Sequence, residues 1–172
     1  MKRNFKKNKG YTLLELILYI SISSVMLFVI SMTLSMFFEA RIKNQTITEV
    51  DGDGIHAMTI ITQIIRNADS VNSPMLGSNS NVLSVNVSDP FKNPTVFELS
   101  GGEITIKEGL NVAVPLTNSL KSNVSDLLFE NLSRPASPDS ISISFKNSHI
   151  NNSGRNEYDF SRSFYGSASL RN

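Results

Sequence analysis

The chain has 172 residues, no cysteine, and 16 basic against 15 acidic residues, for a formal net charge of +1. That length allows one modest domain, the near-neutral balance gives no reason to expect direct nucleic-acid binding, and the lack of cysteine excludes a disulfide framework and thiolate chemistry. The charge is nevertheless uneven, because Lys2, Arg3, Lys6, Lys7 and Lys9 all precede residue 11 while the part beyond residue 38 is slightly acidic.

Residues 1–10 therefore read as a basic leader, with Gly10 at its junction with an apolar run. From Tyr11 to Phe38, 28 residues carry one formal charge, Glu15. As a helix rising about 1.5 Å per residue, this run reaches about 42 Å, more than the roughly 30 Å hydrocarbon core of a bilayer. Five cations ahead of it predict that the leader stays cytoplasmic and the body, residues 39–172, lies outside. A cleaved secretory signal is the rival reading. The run is longer than a signal core, however, and Ser35-Met36-Phe37-Phe38-Glu39-Ala40 offers no small-residue cleavage site. A plain signal anchor would require neither Gly10 nor Glu15.

Glu15 is the informative residue. A carboxylate in an apolar helix costs about 2.5 to 3.5 kcal/mol at the bilayer centre, less near an end, and calls for a compensating group. No Lys, Arg or His lies between Tyr11 and Phe38. Cleavage after Gly10 would supply a cation, the new ammonium of Tyr11, about one helical turn from Glu15 on the same chain or near it on a neighbouring one. Glycine before the cut would let the backbone extend into a protease without a side chain in the way.

The run Lys9-Gly10-Tyr11-Thr12-Leu13-Leu14-Glu15 resembles the class III signal of type IV pilins and type II secretion pseudopilins. The resemblance implies removal of residues 1–10 by a membrane prepilin peptidase and N-methylation of Tyr11. It also implies assembly with other pilins or pseudopilins through the N-terminal helix, on an inner-membrane platform, with Glu15 pairing to a neighbouring subunit's amine. The chain would first cross the bacterial cytoplasmic membrane once, in contact with lipid, and then enter a pilus or pseudopilus. Tyr11 departs from the phenylalanine commonest at that position.

Beyond Phe38 the helical spacing continues. Ile42, Ile47, Val50, Met58, Ile61, Ile65 and Ala68, widened by Ala57 and Ile64, form an amphipathic stripe that predicts a helix to about Ser70, with Pro74 as its outer limit. Asp51-Gly52-Asp53-Gly54 within it invites comparison with a calcium loop. Ile55 and His56 occupy expected ligand positions and no glutamate closes the site, so a flexible or kinked helical segment is the better reading. His56 and His149 are isolated from any ligand cluster in the sequence.

After Pro74 the period becomes alternating, and strands are expected at Asn81 to Val87, Thr95 to Leu99, Glu103 to Lys107, Asn111 to Leu116, Asp126 to Leu132 and Ile141 to Lys146, with a last one between Glu157 and Leu170. Gly101-Gly102 suits a tight hairpin. Residues 134–139 and 147–156 read as surface loops. The expected fold is α+β, one long helix on an antiparallel sheet. Its hairpin, Pro115-Leu116-Thr117 and Leu127-Leu128-Phe129 resemble PilW/PulJ-type minor pilins, and residues 164–172 resemble the last strand of many such proteins. The resemblance implies a filament-priming or capping subunit.

No G-x-S-x-G elbow or phosphate-cradling glycine loop occurs, and the serines have no defined relation to either histidine, so neither an enzyme nor a bound cofactor is expected. The alternative to a filament subunit is a signal-anchored, β-rich adhesin or receptor that does not assemble.

Overall fold

The structure, a computed structural model, describes residues 10–134 and 137–171. The basic leader up to Lys9, Pro135-Ala136 in the proline-containing loop, and Asn172 of the expected last segment lie outside the described residues. The chain forms two units that meet in sequence between Arg41 and Ile42. One helix, α1 (Leu13–Arg66), contributes to both.

In the first unit α1 has no core to cover it. Its large apolar side chains from Leu13 to Phe38 are each at least half exposed. Of its polar side chains, Ser21, Thr33 and Ser35 donate their hydroxyls to the carbonyls of Ile17, Val29 and Ser31 at 2.8, 2.9 and 3.2 Å. Such back-bonding reduces the unpaired polarity on the surface of a helix long and apolar enough to cross a membrane.

In the second unit α1 buries Thr46, Val50, Gly54, Ala57, Ile61 and Ile65, spaced four, four, three, four and four apart, one seam along the helix. Thr46 rather than Ile47 is the fully buried member near its start. The Thr46 hydroxyl donates to Ile42 O at 3.0 Å, so only its methyl requires apolar company. The helix ends at Arg66, short of the expected Ser70, where Ala68 N turns to Ile65 O and Asp69 N is captured by Asn86 O at 2.8 Å.

That capture begins β1 (Ser70–Ser73), a polar strand without an apolar alternation to announce it. The other strands are β2 (Asn79–Ser80), β3 (Leu83–Asn86), β4 (Thr95–Ser100), β5 (Glu103–Glu108), β6 (Val114–Pro115), β7 (Ser122–Asn131), β8 (Ser140–His149) and β9 (Ser161–Ser169). They form two antiparallel sheets where one was expected, ordered β1-β3-β4-β5-β6 and β2-β7-β8-β9. The β4–β5 hairpin turns through Gly101 and Gly102, both at positive φ (61° and 81°), as the Gly-Gly pair predicted. The loop expected from residue 147 starts only after His149, since β8 continues to pair with β9 through Ser148↔Ser161.

Alternation decides which face of each strand is buried. Val124, Leu127 and Phe129 of β7, Ile141, Ile143 and Phe145 of β8 and Ala168 of β9 join Ala57, Ile61 and Ile65 of α1 and Leu83, Val85, Phe97 and Ile104 of the other sheet in one core. The fold is thus α+β, a helix packed on antiparallel sheets.

Candidate functional site

The residues singled out by sequence lie where α1 begins. Gly10 and Tyr11 precede the helix and are exposed, Tyr11 by 77 %. Thr12 is the capping residue: its carbonyl accepts Leu16 N at 3.1 Å, and its Oγ1 accepts Glu15 N at 3.3 Å. Thr12 and Glu15 hold the N-cap and N3 positions of a T-x-x-E pattern, of which the Thr12 half of a capping box is formed, a local signal that the sequence reading of Glu15 did not use. The Tyr11 ring reaches forward to Tyr19, edge to face, with centroids 6.4 Å apart.

This arrangement has two chemical consequences. The Gly10–Tyr11 peptide lies outside the hydrogen-bonded helix and is exposed. Glu15 is in the first turn, where unsatisfied N–H groups and the helix dipole favour a negative charge by about 0.3–1 kcal/mol. That is well short of the roughly 2.5–3.5 kcal/mol that a carboxylate costs at a bilayer centre, so the first turn offsets only part of that cost.

The surrounding surface dwarfs that cost. Nineteen large apolar side chains between Leu13 and Phe38 are exposed, and covering them at about 1.5 kcal/mol each is worth on the order of 30 kcal/mol. Transfer of this helix into an apolar environment is therefore favoured even with Glu15 ionised.

In the second unit the charged residues of α1 act as docking groups. Asp51 accepts Arg162 Nη1 at 2.6 Å and Asp53 accepts Ser122 Oγ at 3.0 Å, so the acids of the Asp-Gly-Asp-Gly run hold the sheet. The helix is unbroken there, and Gly54 lies against the Phe164 ring of β9. Glu49 accepts Lys121 Nζ at 2.8 Å and Gln45 Nε2 at 3.0 Å, and these bonds, Lys121 first, hold its carboxyl below the usual range. His149 is partly buried, stacked on Tyr158 and 3.7 Å from Glu49, whereas His56 is exposed. No group of three or more His, Cys, Asp or Glu side chains among the described residues is placed to hold a metal ion.

What fold and segment define together is an α+β body carrying one N-terminal apolar helix compatible with a membrane anchor or a signal sequence. Comparison with protein-family models, with characterised proteins and with solved structures yields no match.

Proposed function

We propose that this chain is a minor pilin or pseudopilin. A prepilin peptidase removes residues 1–10, the new amine of Tyr11 is methylated, and the apolar helix moves from the membrane into a filament that the subunit primes or caps. The observation that carries this reading is the junction itself: a glycine-preceded peptide left outside the helix, followed within about one turn by Glu15, the only acid of the apolar and uncovered stretch of α1 up to Phe38. In this role Glu15 meets the amine of an adjacent subunit, and the other pilins and the assembly platform are its partners.

Intact-mass and N-terminal analysis of the protein from its native membrane tests the reading. The expected species begins at Tyr11 and carries one added methyl. A chain that still begins at Met1, or one cut after residue 38, overturns it and leaves an anchored or secreted binding module in its place.

A further inference from the structure

The outer face of the four-stranded sheet has a small polar depression of about 140 Å³, walled by Asp126 of β7, Ser144, Phe145 and Lys146 of β8, and Ser163 and Tyr165 of β9. The strand register brings these groups together: Ser144 stands opposite Tyr165, Lys146 opposite Ser163, and Ser125 opposite Lys146. Asp126 arrives by a different route. The pairing of β7 with β8 shifts between Ser125 and Leu128, and inside that irregularity Asp126 has φ 56°, the one non-glycine residue with positive φ among those described. A bulge of this kind takes a side chain out of the normal alternation and re-aims it, at a backbone cost of about 1–3 kcal/mol when the residue is not glycine. Here it brings a carboxylate to the wall of the depression, next to a Tyr165 side chain that is 79 % exposed.

The lining fixes the chemistry of what fits. One acidic and one basic residue, Asp126 and Lys146, line the same small volume, so an anion meets Asp126 and a cation meets Lys146, and a ligand without net charge meets neither penalty. Asp126 accepts hydrogen bonds, Lys146 donates them, and Ser144 and Ser163 do either. Tyr165 offers a flat ring whose negative face suits polarised C–H groups. A polyhydroxylated ring with one apolar C–H face meets all three demands. The volume is well below the roughly 300–1,000 Å³ of sites for drug-sized ligands, which limits the depression to a single ring. On either side the paired positions are Ser142 with Ser167 and Ser148 with Ser161, small and uncharged, so a linear chain leaving that ring runs on over a flat hydroxylated surface.

We propose that this depression binds one pyranose unit of a neutral polysaccharide laid across β8 and β9, with Tyr165 as the stacking platform and Asp126 as the principal hydroxyl acceptor. This inference is independent of the filament reading, because it concerns the outer face of the body alone.

The test is co-sedimentation of the full chain, in a nonionic detergent without a sugar headgroup, with insoluble cellulose and insoluble chitin. The expected result is retention on at least one polymer, a fall of about fivefold for Tyr165→Ala, near-normal retention for Tyr165→Phe, and a fall for Asp126→Asn, which keeps a side chain tolerant of positive φ. Circular dichroism of each variant confirms that the fold is intact. Failure of the unaltered chain to sediment with either polymer, or equal retention of folded Tyr165→Ala, overturns the proposal.

Discussion

Gly54 of α1 and Phe164 of β9 are in close contact: a Cβ added to Gly54 would clash with Cζ and both Cε atoms of the Phe164 ring, so the ring lies against the bare backbone of the helix. Met58, one turn further on, occupies the equivalent space over Gly166, where an added Cβ would lie 2.7 Å from its sulfur. Helix and strand thus interlock through two glycines, one on each element.

From this follows a contrast within one tetrapeptide. Gly52 has open space where its Cβ would be, so Gly52→Ala is expected to stabilise the protein by about 0.8–1 kcal/mol through helix propensity. Gly54→Ala enjoys the same propensity but displaces Phe164, and overpacking of about 1–3 kcal/mol outweighs the gain. Urea midpoints for the two variants should move in opposite directions.

Asn147 is fully buried and donates Nδ2 to Val50 O at 3.1 Å, joining β8 to the helix. Replacing it by Ala should cost about 1–3 kcal/mol through the lost bond and the small cavity. Asn147→Asp should cost more, since a carboxylate there is buried and has no N–H to offer the carbonyl. Chemical denaturation of both variants checks the order.

Acid should weaken the body through Glu49. Its carboxyl is depressed below 4.5, chiefly by Lys121, so its contribution is complete above the unfolded value and is lost as pH falls through the lower folded one. The pKa of Lys121 shifts upward from 10.5, so its side of the pair fails only in strong alkali. Glu49→Gln should cost under about 1 kcal/mol at neutral pH and flatten the decline of stability below about pH 4.5. The flattening is partial because Glu103, bonded to Ser119, and Glu157, bonded to Arg155, are also held low. Stability measured between about pH 3 and 7 reads the difference.

At the other end of the helix, Thr12→Ala removes an N-cap worth about 0.5–2 kcal/mol, whereas Thr12→Ser keeps it. Hydrogen exchange of the amides of Leu14 and Glu15 in micelles should quicken several-fold in the first variant and change little in the second. Glu15→Ala is expected to leave leader removal intact and to block entry into the filament, read by peptidase cleavage and by subunit recovery in sheared filaments.

Long periodic features were the most legible in the sequence. The stripe from Val50 to Ile65 and the alternation of Ile141, Ile143 and Phe145 each report a buried face, and both were located correctly. Features made by pairing rather than by composition were not. Ser70–Ser73 becomes a strand because Asn86 captures Asp69 N, and nothing in Ser-Val-Asn-Ser announces that partner. The second sheet escaped notice because alternation tells which face a strand buries but not which strand lies next to it. At the candidate site, Gly10, Tyr11 and Glu15 were singled out by the basic leader, the lone charge of the apolar run and the resemblance to a class III signal, whereas Thr12 was not, although its spacing to Glu15 is a readable cap. Asp126 was placed at a strand terminus, since a bulge inside β7 depends on register with β8.

The tie between Asp51 and Arg162 spans 111 positions of chain. β9 is the last strand to be synthesised, and it brings Phe164 and Ala168 to the helix face that leads the body out of the ribosome. Until Ser161–Ser169 has emerged, that face can meet the earlier strands but lacks its interlock with β9, the contact of longest loop closure. The helix therefore gains this partner only when the ninth strand has been made.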